Sequence, residues 1–148
     1  MDSEVQMTQL VMPFHCNSHG SLFGGQLVAW IDSAASTAAM RHCHTPVVTV
    51  SIDQMSFRKP VVEGHAVILT ARVDWVGHTS MEVAVEVLAE DLMTGERFLS
   101  NHAYLTFVAV DGNFRPVPVP RLDLESPADQ EAFRQGAKRR QRRLEVES

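Results

Sequence analysis

Two cysteines in 148 residues, Cys16 and Cys43, are too few to build a disulfide framework. No apolar run approaches the roughly 20 residues needed to span a bilayer. The opening residues carry Asp2 and Glu4 where a secretory signal carries bases, and no long apolar segment follows. Positive charge is also scarce. Thirteen Lys and Arg face eighteen Asp and Glu, and the net charge of −5 speaks against general affinity for nucleic acid or anionic membrane. What is present is a globular mixture, 45% apolar and 21% charged, of a length that suits one core. The expectation is a single reduced, cytoplasmic domain.

The charge is unevenly spread. Residues 1–120 hold 6 basic and 12 acidic side chains, whereas residues 121–148 hold 7 and 6. The tail packs five cations into Lys138-Arg139-Arg140-Gln141-Arg142-Arg143. We therefore divide the chain into a folded body over 1–120 and a basic tail over 121–148.

The body contains one convincing helix, over residues 26–41, opened by Gly24-Gly25. At about 100° per residue, Leu27, Ile31, Ala34, Ala35 and Ala38 gather on one side, with Trp30 at the edge. Small alanines allow close approach to a sheet. Pro46 disfavours helix at Thr45. Alternating strands follow over 47–57, 65–75, 81–87 and 97–110, and a weaker strand over 4–12 precedes the helix. In the second of these, Val67, Leu69, Ala71, Val73 and Trp75 share one face. In the third, Glu82 and Glu86 project from a polar side and read as solvated or interface charges. Short connections favour antiparallel neighbours. An α+β fold results, a curved antiparallel sheet wrapped around one helix. Pro116, Pro118 and Pro120 end the ladder. Ser126-Pro127 then starts a second helix, whose terminal cations suit the helix dipole.

Chemistry concentrates in Asn17-Ser18-His19-Gly20-Ser21-Leu22-Phe23-Gly24-Gly25. The free N–H groups of a first helical turn carry partial positive charge, which suits a phosphate or a carbonyl oxygen gaining negative charge. Asp32 stands two turns further along, at the margin of the buried face. Pattern alone leaves it either a functional base or nucleophile, or a border aspartate facing water. The histidines of His42-Cys43-His44, His15 and His19 lack zinc-finger spacing, so no metal is expected. Cys16 has no recognisable base partner.

These residues resemble a known pattern. Asn17-x-x-Gly20-x-x-Phe23-Gly24-Gly25, Trp30-Ile31-Asp32, Val48-Thr49-Val50-Ser51-Ile52-Asp53, Phe57, Pro60, Gly64, Gly77-His78-Thr79-Ser80-Met81 and Phe107-Val108-Ala109-Val110-Asp111 are similar to the motifs of hotdog-fold acyl-CoA thioesterases. The bacterial YciA-type and brain-type cytosolic enzymes are the nearest in kind, and the likeness runs from about residue 8 to 120. It implies a homodimer as catalytic unit, assembled as a trimer of dimers, that hydrolyses acyl-CoA to fatty acid and coenzyme A without a metal or redox cofactor. Asp32 matches the catalytic carboxylate and Asn17 the catalytic asparagine, and the two meet across the dimer. Asp32 would activate water or attack the thioester directly, and the Gly25 N–H would polarise the carbonyl. Phe23, Gly24, Arg58, Lys59 and the Gly77-His78-Thr79-Ser80 turn would bind the coenzyme A portion. His78 stands where the family carries Arg or Lys, and the basic tail offers another route to a 3′-phosphate. A non-catalytic acyl-CoA sensor would need an effector segment for which there is no room. A hotdog dehydratase would need a histidine motif that this helix lacks.

Overall fold

A computed structural model describes residues 3–53, 55–56 and 58–147. Phe57, one of the resemblance positions, lies outside them. The order is β1 (Val5–Leu10), a 3₁₀ turn (Pro13–His15), α1 (Gly24–Cys43), β2 (Val47–Asp53), β3 (Ala66–Val76), β4 (Ser80–Glu90), β5 (Arg97–Ala109) and α2 (Pro127–Glu147). The strands form one antiparallel sheet in the order β1-β3-β4-β5-β2. Five strands about 4.8 Å apart are wider than one helix of about 10 Å diameter. Yet α1 touches every strand, so the sheet must curve around it. Ile31, Ala34, Ala35, Ala38 and Ala39 are fully buried against Val67, Leu69, Val83, Val85 and Leu105.

The helix is longer than the spacing predicts. Gly24 and Gly25 form its first turn rather than preceding it, and Phe23 is the N-cap. Its end is a left-handed His44, φ 58°, whose N–H donates to the Met40 carbonyl.

Among the described residues, three β-bulges decide which side chains face α1. A bulge sets two residues of one strand against one of the next, which breaks strict alternation. Between Val73 and Trp75 the register shifts, and Trp75 pairs with Glu82 rather than continuing the inner row. Trp75 therefore faces the outer side, a correction to the simple alternation of this strand. There it packs against α2, where a Cβ on Gly136 would lie 2.5 Å from the Trp75 Cβ.

Of the two readings of Glu82, a solvated or an interface charge, the outer face excludes the solvated one, because α2 covers it. Its side chain is completely buried. Arg139 donates from Nε to both Glu82 oxygens, at 2.8 and 3.0 Å, and from Nη2 to Asp74 Oδ2 at 3.1 Å. Arg143 donates to Glu82 Oε2 at 3.0 Å, and Arg140 donates to Ser80 Oγ at 2.7 Å. Three of the five clustered cations thus bind the sheet rather than simply complementing the helix dipole. Ser126 does cap α2 as its sequence suggests, accepting from the Asp129 N–H at 3.1 Å.

Burial, with Glu82 alongside, pushes the Asp74 carboxyl up from 3.8 to about 8. Asp74 then holds a proton in the folded chain, but not in the unfolded one, between about pH 4 and 8. This group's contribution to stability therefore falls as pH rises through that window. Asp74→Asn mimics the protonated carboxyl, so it is expected to flatten the stability profile there and to raise Tm at pH 8. A lower Tm at pH 8 would show instead that Asp74 is an ionised partner of Arg139.

Candidate active site

The loop before α1 prepares two donors. Asn17 Oδ1 accepts from the His19 N–H at 2.9 Å and the Ser21 N–H at 3.2 Å. Those bonds fix the amide orientation and leave its NH₂ as the end available to a ligand. The Gln26 and Leu27 N–H groups are both satisfied by the Phe23 carbonyl. The Gly24 and Gly25 N–H groups precede them and have no acceptor within the helix, as the first turn requires. A Cβ on Gly25 would lie 2.6 Å from the Phe23 ring, so glycine there lets the ring lie against the helix terminus.

Asn17 and Gly24 open onto a cleft of about 360 Å³ shared with Ser21, Leu22, Leu27, Lys59, Pro60, Val61 and Ser100. Lys59 also lies 4.4 Å from the centre of the Phe98 ring. Arg58 is exposed and its N–H donates to the Ser100 carbonyl at 3.5 Å.

Asp32 does not line this cleft. Seven residues of helix put it about 10 Å along the axis from Gly25. It is half-buried, and its Oδ1 accepts from Thr49 Oγ1 at 2.9 Å. A second bulge explains the contact. Thr49 pairs with Phe107, an inward residue, and the register then shifts before Ser51. Thr49 thus reaches the helix from the edge strand β2. Its β-branched neighbourhood is visible in the sequence, but only the register shows which side chain meets Asp32.

The Gly77–Ser80 turn lies elsewhere again. Ser80 pairs with Val108, whereas Arg58 lies beside Ser100, eight residues or about 26 Å back along β5. Arg121 donates to the Gly77 carbonyl, and the His78 carbonyl accepts from the Val119 N–H at 2.9 Å. His78 itself is exposed, while the Ser80 hydroxyl is occupied by Arg140. One protomer therefore brings together Asn17, Gly24 and Lys59, and keeps Asp32 and the Gly77–Ser80 turn apart from them.

The histidine-rich segments have local roles. His42 Nε2 is 2.8 Å from the Pro120 carbonyl, and His15 Nδ1 accepts from the Met12 N–H at 3.0 Å. Cys16 Sγ donates to the Met12 carbonyl. Among the described residues no group of three or more His, Cys, Asp or Glu could hold a metal ion. No helix of those residues is long and apolar enough to cross a membrane.

Residues 19–96 match the model of the thioesterase superfamily. An acyl-CoA thioester hydrolase of Bacillus subtilis, YkhA, is 50% identical over 121 residues, covering 82% of this chain and 70% of the relative. An apo-hexameric acyl-CoA thioesterase superposes with a TM-score of 0.94 at 37% identity, covering 99% of this chain and 94% of the other. An acyl-CoA hydrolase of Staphylococcus aureus, solved with butyryl-coenzyme A and coenzyme A, has a TM-score of 0.86 at 33% identity, covering 99% and 92%. That enzyme was also solved with alanine replacing an asparagine, an aspartate fifteen residues later, or a threonine seventeen beyond the aspartate. A helix wrapped by a five-stranded antiparallel sheet, a loop of donors at its N-terminus and these likenesses along nearly the whole chain agree: the protein belongs to the thioesterase superfamily and has the hotdog fold.

Proposed function

We propose that this acyl-CoA thioester hydrolase works through a composite site, with Asn17 and Gly25 of one protomer facing Asp32 of its partner. Membership of the hydrolases rests on the relatives above; the assignment of roles rests on one observation. Asn17, Asp32 and Thr49 repeat the spacing of the three residues replaced in the S. aureus enzyme, and here Thr49 is hydrogen-bonded to Asp32. The separation of Asn17 from Asp32 within one chain supports a site completed by a second copy. So do the exposed Phe23 and Val50, 58% and 57% accessible, beside the two halves. Hexameric relatives support an assembly of three such dimers.

In this reading the thioester carbonyl accepts from the Gly25 N–H and the Asn17 NH₂, which stabilise the developing oxyanion. Asp32, held by Thr49, takes a proton from water as the water oxygen attacks the carbonyl carbon. The C–S bond breaks and the thiolate of coenzyme A recovers the proton. Arg58, Lys59 and the exposed His78 steer the nucleotide phosphates, and Lys138 and Arg142 are also exposed. The reaction needs neither a metal nor a redox cofactor, and a cytoplasmic location accords with two free cysteines.

Thiol release from a panel of acyl-CoAs tests the activity, and mixing tests the shared site. A two-fold dimer has two equivalent sites. A mixed dimer of Asn17→Ala and Asp32→Ala chains carries both lesions in one site and none in the other, so activity should return. Mixtures that exchange subunits and stay inactive would refute a site drawn from both chains. Thr49→Val is expected to lower kcat about tenfold while leaving KM nearly unchanged, because it frees the carboxylate without touching substrate. A loss confined to KM would place Thr49 on the substrate instead.

A further inference from the structure

The cleft that begins at Asn17 and Gly24 runs to Ser100, whose chain neighbour Asn101 carries a buried amide donor without a partner among the described residues. Ser100 is in its wall and only 2% exposed. The adjacent Asn101 is 0% exposed, and its Nδ2 has no hydrogen-bond partner among the described residues. The orientation of that amide is fixed, because Asn101 Oδ1 accepts from the His102 N–H at 2.9 Å. Buried amide donors are ordinarily bonded, and an orphaned one is costly enough to ask what meets it.

The third bulge brings the pair together. Asn101 pairs with Val87, an inward core residue, and Leu99 with Leu88, so Ser100 is the extra residue between them. Asn101 shares the inner face with Val87, and Ser100 joins it there beside Leu27. The cleft is thus donor-lined where the thioester carbonyl would sit, apolar along Leu22, Leu27 and Val61, and polar again at Ser100, with Asn101 buried next to it in the chain.

We propose that Ser100 and Asn101 are specificity-determining residues that select acyl-CoAs whose short acyl chain carries an acceptor oxygen, such as a 3-oxo or 3-hydroxy group. This rests on the thioesterase reading of the cleft. The amide donates to that oxygen and the hydroxyl supplies or receives a second bond. A plain acyl chain leaves the Asn101 amide unpaired, the situation in which a site built for hydrogen bonding rejects the analogue that lacks the polar group.

The test compares kcat/KM for acetoacetyl-CoA and 3-hydroxybutyryl-CoA with that for butyryl-CoA. The wild type should favour the oxygenated substrates by about tenfold or more. Asn101→Leu keeps the bulk and removes the donor, and should bring the ratio to about one or below. Ser100→Ala should lower it separately, and gives the answer if the Leu variant does not fold. A wild-type ratio of one or less, or a ratio that Ser100→Ala and a folded Asn101→Leu both leave intact, overturns the proposal while the hydrolase reading stands. Absence of thiol release from all three substrates would strike the hydrolase reading itself, and the selectivity with it.

Discussion

Asp32→Ala is expected to lower kcat/KM for a short acyl-CoA by about 10²–10⁴-fold, the contribution of a positioned general base. The fold should be indifferent to the change. Asp32 sits half-buried at the margin of α1, and among the described residues its side chain is hydrogen-bonded to Thr49 alone. The helix around it is held by Ile31, Ala34 and Ala35, all fully buried, and alanine is the better helix former. Thermal unfolding should therefore be near that of the wild type while thiol release nearly vanishes. Asp32→Asn keeps the size and the bond from Thr49 but cannot take a proton, and should be about as damaged. Undiminished turnover in either variant would remove Asp32 from the mechanism. A parallel fall in Tm would reduce the loss to misfolding.

The second large effect is structural. Arg139→Ala should destabilise the chain by about 3–5 kcal/mol, because it strands a buried carboxylate rather than merely deleting a contact. Glu82 is fully buried, Arg139 is 12% exposed, and the guanidinium also stacks 3.7 Å from the Tyr104 ring centre. Arg143 keeps its bond to Glu82 in the variant and tempers the loss. For a domain of this size the change corresponds to roughly 10 °C in Tm at fixed protein concentration. Arg134→Ala is the matched control. Arg134 is paired with Glu131 on the same helix, but at 67% and 48% exposure, and should shift Tm by no more than about 2 °C. Equal effects from the two substitutions would mean that α2 is not held by the buried charges.

The difference between those two arginines was not legible in the sequence, where both belong to one basic tail. The elements themselves were legible. Alternation and helical periodicity locate the long central helix, four long strands, a weaker first strand and a final helix, because each depends on neighbours a few residues apart. Asn17, Gly25 and Asp32 also stand out locally, as donors before a helix and a carboxylate on its margin. Alternation fails where a bulge inserts one residue. Asp74 turns Trp75 outward, Val50 follows the Thr49 that meets Asp32, and Ser100 joins Asn101 on the inner face. Each bulge is set by pairing with a strand distant in sequence, and no local pattern announces it.

Composition and periodicity alone determined an acidic chain with one apolar-faced helix and strands to wrap it, because burial of apolar surface follows from residue spacing. Tertiary structure decided where the scarce charges and donors went. Glu82, which alternation assigns to a polar face, became the buried anchor of α2, since that helix covers the outer sheet and brings Arg139 and Arg143 with it. Thr49 became the partner of Asp32 through a register shift on an edge strand. The scarcity of cations, which disfavours polyanions in general, coexists with a chain whose densest basic run is largely turned inward. Charge counts add over the whole chain, whereas electrostatic function depends on which charges are neutralised by neighbours that only folding supplies.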